Sequence, residues 1–356
     1  MKRYVIYFVA LAAFALALHD ETVLSAELID FRRLEDAPRD ARTFFAPTSI
    51  SADGSVIGLY EAVGDFSGWI WSRENGFEQA PIDDHWLTTA ISGDGNVIAL
   101  NNSENNHKTL IWDRTSNETT TIDSDSSSSS ELSHDGAIAA TNAGDSLFRW
   151  TESTGLEPID IPGSWDDHYV TGMSSDGSTI VGGMNAGWIR SPDGNYNLES
   201  DGFIWHDGQA QELHLPHTGD PNIYSSNAID VSSDGQIVLV RAEQELLKFD
   251  VNGNEFQNLG PVVVDGEQYD IRDAQLTDHG AITIYARRNS DQGVTGIVWD
   301  KVHGYQYLEE VLRDEHGIEF PSSMKLMWPS VVSQDARAIA GVWKPISGSN
   351  PVSSSR

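Results

Sequence analysis

The stretch Ile50-Ser51-Ala52-Asp53-Gly54-Ser55-Val56-Ile57-Gly58 recurs along this chain, and its recurrence decides the fold. It returns as Ile91-Ser92-Gly93-Asp94-Gly95-Asn96-Val97-Ile98, as Leu132-Ser133-His134-Asp135-Gly136, and as Met173-Ser174-Ser175-Asp176-Gly177. A fifth copy is Val231-Ser232-Ser233-Asp234-Gly235. Two degenerate copies follow, Leu276-Thr277-Asp278-His279-Gly280 and Val332-Ser333-Gln334-Asp335-Ala336. From residue 51 to 92, 133, 174, 232, 277 and 333 the hydroxyl advances by 41, 41, 41, 58, 45 and 56 positions. Three equal steps in a row mark a structural repeat.

The physics of one copy is readable. An apolar residue and a hydroxyl end one strand. Asp-Gly then turns the chain, because glycine tolerates a positive φ and aspartate bonds its own backbone two residues on. A β-branched run such as Ser55-Val56-Ile57 or Thr179-Ile180-Val181 begins the next strand. A third strand ends in an aromatic, as in Gly68-Trp69-Ile70-Trp71, Leu110-Ile111-Trp112, Gly202-Phe203-Ile204-Trp205 and Gly296-Ile297-Val298-Trp299. A fourth, shorter strand closes most copies, as at Gly76-Phe77-Glu78-Gln79-Ala80 and Gly155-Leu156-Glu157-Pro158-Ile159. Four strands in roughly 40 residues make a propeller blade. The expectation is an all-β, seven-bladed β-propeller over residues 27–345. Its last blade, with two clear strands ending near Gly341-Val342-Trp343, is closed by an N-terminal strand at Leu28-Ile29-Asp30-Phe31-Arg32-Arg33-Leu34. Residues 346–356 read as a Ser- and Pro-rich tail.

The first residues have the pattern of an export signal. Lys2 and Arg3 precede an apolar run from Tyr4 to Leu18, and small residues follow at Ser25-Ala26. That run is short for a bilayer span, which needs about 20 apolar residues. A signal peptide of residues 1–26, cleaved after Ala26, is the expectation; an uncleaved anchor is the alternative. The chain is then secreted, extracellular or periplasmic, with no membrane span after cleavage. Its formal charge of −32 argues against nucleic acid, whose phosphates need clustered Lys and Arg. With no cysteine, thiol catalysis and Cys-ligated zinc are excluded.

Taken together, the Ser-x-Asp-Gly turn, the Ile-Trp strand and the Gly-Phe-x-x-Leu strand resemble those of the bacterial extracellular HAF-repeat proteins. The segment from Tyr307-Leu308-Glu309-Glu310 through Gly317 to Val332-Ser333 resembles their last repeat, in which a short helix precedes the final turn. The resemblance implies a β-propeller-like repeat fold and an extracellular location, and carries no defined activity. Trp112-Asp113 and Trp299-Asp300 are similar to the strand ends of WD-repeat propellers, although the Gly-His step of those proteins is absent. The Asp-box of sialidase-like propellers does not match.

No phosphate loop, nucleophile elbow or His-Glu-x-x-His occurs, and the Asp-Gly turns lack the alternating acids and distal Glu of a calcium loop. No catalytic residue, metal ligand or cofactor is assigned. Chemistry is better sought in the connectors that precede each motif. These carry Asp84, His85 and Trp86; Asp167, His168 and Tyr169; and Tyr224, Tyr269 and Trp328. Aromatic rings with acids and His beside them are the means of holding a sugar or peptide; the same rings can equally cap the inner strands and cover the blade junctions. The reading is of a monomeric, non-catalytic propeller that binds an extracellular glycan or protein. A propeller enzyme, such as a polysaccharide lyase or hydrolase, and a structural matrix protein are the alternatives. Between Asn185 and Ser200 an insertion containing Pro192-Asp193-Gly194 predicts a projecting hairpin. Tyr307 to His316 predicts a helix with Leu308, Val311 and Leu312 on one face and Gly317 as its stop.

Overall fold

In six of the seven motif copies the hydroxyl makes the same pair of bonds. Ser51, Ser92, Ser133, Ser174, Ser232 and Ser333 each donate to the aspartate two residues on, at 2.6–2.8 Å. Each also accepts the amide five residues on, at 2.9–3.0 Å. The aspartate accepts a further amide at the start of the returning strand, such as Ala137 N on Asp135 at 3.0 Å. That amide, followed by the Ser133 hydroxyl, holds the Asp135 carboxyl below its ordinary range. The turn is therefore wired from within, in a computed structural model that describes residues 45–61, 68–82, 86–102, 108–122, 129–163, 165–190, 196–213, 226–320 and 324–345.

Around these turns the chain folds as antiparallel sheets, each beginning at the strand that leads into a motif. The innermost strands are Phe45–Ile50, Trp86–Ile91, Ser130–Leu132, Asp167–Met173, Ser226–Val231, Glu267–Leu276 and Met324–Val332. Five sheets have four strands in sequence order. The sixth has five, with Val263–Val264 added beside Glu267–Leu276. The seventh sheet is different. Among the described residues it holds only Met324–Val332 and Ile339–Pro345. The seven-bladed expectation is thus corrected to six complete blades and one partial sheet, because no third or fourth strand joins that pair among the described residues. The strand proposed at residues 28–34, the signal segment and the tail lie outside the described residues.

The ring is nonetheless continuous through its turns. Ala52 N bonds Gly93 O, Asp94 N bonds His134 O, His134 N bonds Ser175 O, and Ser175 N bonds Ser233 O, all at 2.8–2.9 Å. Ser233 N reaches the Asp278 carboxylate at 3.2 Å, Asp278 N reaches Gln334 O at 2.8 Å, and Asp335 N returns to Ala52 O at 3.1 Å. Each junction between neighbouring sheets also has its own apolar core. Ala140, Leu147 and Ile159 of blade three meet Val170, Met173 and Phe203 of blade four. Ile57, Leu59 and Trp71 of blade one meet Val331 and Ala340 of the seventh sheet. The fold is an all-β propeller, and burial between blades is what holds it.

Both irregular elements follow the sequence. The hairpin of Thr179–Arg190 and Tyr196–His206 projects from blade four, with Trp188 opposite Leu198. The helix Leu308–Asp314 buries Leu308, Val311 and Leu312 against the seventh sheet. It ends where Gly317 N bonds Arg313 O and Ile318 N bonds Leu312 O, with Gly317 at φ +64°.

One motif variant tests the turn directly. Ser174 is fully buried, so Ser174→Ala leaves the Thr179 amide without its acceptor. A loss of about 1–3 kcal/mol in denaturant-derived stability is expected. A change below about 0.5 kcal/mol would mean that the hydroxyl does not hold the turn.

Candidate functional site

Inner strands line the axis of a propeller, and here they carry a repeated irregularity. The pairing register slips between Pro47 and Ser49, Thr88 and Ala90, Val170 and Gly172, Ala228 and Asp230, Ile271 and Asp273, and Pro329 and Val331. A bulge turns consecutive side chains toward one side of the sheet. Accordingly Thr48 and Ser49, Thr89 and Ala90, and Ile229 and Asp230 all line one central cavity of about 330 Å³, as do Thr171 and the backbone of Gly172.

The residue two positions before each motif hydroxyl forms a ring around this cavity: Ser49, Ala90, Glu131, Gly172, Asp230, Gln275 and Val331. Two of these side chains fasten their blade to the next. Asp230 Oδ2 accepts the Leu276 amide at 2.6 Å, and Gln275 Oε1 accepts the Val332 amide at 2.7 Å. Asp230 Oδ1 also takes the Val231 amide at 2.8 Å. Glu131 occupies the same position, yet among the described residues nothing donates a hydrogen bond to its carboxylate.

These carboxyls are strongly perturbed. Burial, with Asp230 as a nearby like charge, pushes Glu131 up to about 8. Burial pushes Asp230 up to about 7, against its two amide donors. Asp273, also on the cavity wall, is raised by burial as well, with Arg241 opposing the shift. Glu131 and Asp230 are half-buried and Asp273 is exposed at the cavity mouth, so all three keep contact with water. A second cavity of about 370 Å³, lined by Tyr60, Thr88, Ser129 and Ser130, shares Thr48, Thr89 and Glu131 with the first. Glu131 therefore stands where the two meet. Among the described residues no group of three or more His, Asp or Glu is close enough to hold a metal ion.

The aromatics and acids marked in the connectors lie elsewhere. Trp86 packs on Ile70 and Leu100 at the junction of blades one and two. His168 Nδ1 sits 2.7 Å from the carbonyl of Asp145, joining blades three and four, and Asp167 beside it is exposed. Tyr169 donates to Asn227 Oδ1 at 2.8 Å across blades four and five. Burial raises its phenol above the ordinary value, and Arg241 opposes that shift. Tyr269 is fully buried, its hydroxyl 2.8 Å from that of Tyr307 and its ring edge-on to it. Trp328 lies on the inner strand of the seventh sheet, opposite Val342. Asp84, His85 and Tyr224 lie outside the described residues. Trp86, Asp167, His168, Tyr169 and Tyr269 do not line the central cavity.

Sequence reasoning missed Glu131, Asp230 and Asp273. The available signal was their place relative to the motif, two residues before the hydroxyl for the first two and four for the third.

No protein-family profile and no curated protein matches the sequence. Among solved structures, the β-propeller domain of the Trilobed protease from Pyrococcus furiosus is similar at 16% identity. The TM-score is 0.55, covering 81% of this chain and 88% of that one. The β-propeller domain of Cps50 (Swd1) from Myceliophteria thermophila is 11% identical, with a TM-score of 0.47, covering 74% and 86%. A putative TolB from Agrobacterium tumefaciens is 14% identical, with a TM-score of 0.45, covering 77% and 95%. At such identities the first likeness shows the fold alone.

Proposed function

We propose that this chain is a secreted, non-catalytic propeller that binds an extracellular glycan or protein across its connector face. The observation that supports this most is dispersal. Trp86, His168 and Tyr169 are distributed over separate blade junctions rather than gathered at one reacting centre. A surface of that kind suits many modest contacts, each contributing a little, rather than the close convergence that catalysis needs. In this reading the mature protein is a monomer. The resemblance to HAF-repeat proteins supports the extracellular location. No helix among the described residues is long and apolar enough to cross a membrane.

The test is a glycan and peptide array probed with the full chain and with Trp86→Ala and Tyr169→Ala. Binding that falls at least tenfold in one variant supports the connector face. Unchanged binding in both removes it.

A second reading draws on the raised carboxyls of the central cavity, since perturbed acids gather at catalytic sites. It makes the chain a polysaccharide lyase or hydrolase. Release of new chain ends from an acidic polysaccharide, abolished by Glu131→Gln, would favour it over binding alone.

A further inference from the structure

The ring of residues two positions before the motif hydroxyl gives an internal comparison that needs no relative. Where this position carries a hydrogen-bonding side chain in blades five and six, that chain is used to fasten the next blade, through Asp230 to Leu276 N and Gln275 to Val332 N. Blade three carries Glu131 here and fastens nothing with it. The next inner strand has an amide at the corresponding place, Met173, but no bond forms. Structural duty therefore does not account for Glu131.

Its surroundings make the carboxylate costly. The side chain is half-buried and lines both cavities. Asp230 is close enough to repel it, and Asp273 lies on the same wall. A charge removed from bulk water without a partner must either take a proton or meet a counter-ion. Two basic side chains are nearby. Arg241 acts on Asp273, and His134 on the cavity wall is exposed and acts on Asp94 and Asp135. Neither acts on Glu131.

The space beside Glu131 suits a small molecule. The axial cavity, at about 330 Å³, lies in the range of ligand sites, and the second cavity beside it is walled with Thr and Ser hydroxyls. A metal ion needs several oxygens within one coordination sphere, and no described group of acids is that tight. Acids set apart around a roomy cavity fit a longer cation better, one with ammonium groups that hydrogen-bond at more than one point.

We infer that the axial cavity is a binding site for a small organic amine, with Glu131 as the carboxylate that receives its ammonium group. Asp230 and Asp273 supply negative potential from the same wall, and the hydroxyls of Thr48 and Thr89 take the remaining N–H donors. This site is distinct from the connector face and does not depend on the role proposed for it.

Calorimetric titration of the full chain with 1,4-diaminobutane at pH 8.5 and moderate salt tests it. Saturable one-to-one binding is expected, weakened at least tenfold by Glu131→Gln. Exposed Glu152→Gln should leave it unchanged, which separates the site from loose attraction to a chain of charge −32. The neutral isostere 1,4-butanediol should not bind. Glu131→Gln removes a repelled charge and should fold at least as well as the parent, which a thermal melt of the same sample checks. Binding that never saturates, or that survives Glu131→Gln, overturns the proposal. Calcium chloride giving the same Glu131-dependent heat while the diamine gives none overturns it in favour of a metal.

Discussion

Gly136→Ala is expected to cost roughly 2–4 kcal/mol, whereas Gly144→Ala costs about 1 kcal/mol. The two glycines share a backbone conformation, at φ +69° and +59°, so an alanine at either bears a similar left-handed penalty of about 1 kcal/mol. They differ in what lies beyond them. A Cβ on Gly136 would sit 2.4 Å from the Val97 side chain of the preceding blade, while one on Gly144 meets nothing within 4 Å. Overpacking of that kind adds about 1–3 kcal/mol. The same approach recurs at Gly54 on Ala338, Gly95 on Val56, Gly177 on Ile138 and Gly235 on Thr179. The motif glycine is thus both a turn residue and the place where one blade seats against another. Denaturant unfolding of the two variants measures the difference; equal costs would show that only φ matters. The last copy places Ala336 at φ +59°, in the glycine's position, so that junction tolerates a Cβ. The copy before it closes one residue sooner, Thr277 N bonding Ala281 O where the other copies reach five residues on.

The second large effect is a dependence on pH. Glu131 is raised to about 8 from the ordinary glutamate value of 4.5. The folded chain therefore holds a proton there that the unfolded chain releases, and stability falls as pH rises between those values. Below pH 4 both states are protonated and the site contributes nothing. Above pH 8 the folded state carries an unpaired carboxylate at full cost. Asp230, itself raised to about 7, acts on it in the same direction; Asp273 on the same wall is raised too, offset in part by Arg241. His134 on the wall is exposed and acts on Asp94 and Asp135 instead. Glu131→Gln is expected to raise stability at pH 8.5 by roughly 2–4 kcal/mol, with contact to cavity water lowering the full value of about 1.4 kcal/mol per pH unit. At pH 4 it should change stability by less than about 0.5 kcal/mol. Melts of both proteins at the two values decide the matter. A gain of equal size at both would point to packing, and no gain at pH 8.5 would mean that the carboxylate is well solvated.

The repeat was legible because its parts are local. A hydroxyl bonding an aspartate two residues on and an amide five residues on needs nothing beyond one turn. The helix stop at Gly317 and the hairpin from blade four are equally local. The candidate site was not legible in this way. Alternation along Trp86–Ile91 or Ser226–Val231 assumes a regular strand, and a bulge in each turns two neighbouring side chains to the axis. Tyr269 illustrates the opposite error of reading composition as surface. An aromatic in a connector looks available in sequence, but the added Val263–Val264 strand and Tyr307 enclose it completely.

By itself the sequence determined the seven turns, the strands they join and the propeller class, since each rests on residues within about ten positions of one another. Only the tertiary structure decided that Glu131, Asp230 and Gln275, from three different repeats, share one ring. It alone separated the two that fasten blades from the one that does not. The physical reason is that a ring brings equivalent positions of distant repeats to a single axis. There a side chain's charge is set by its neighbours around the circle rather than along the chain.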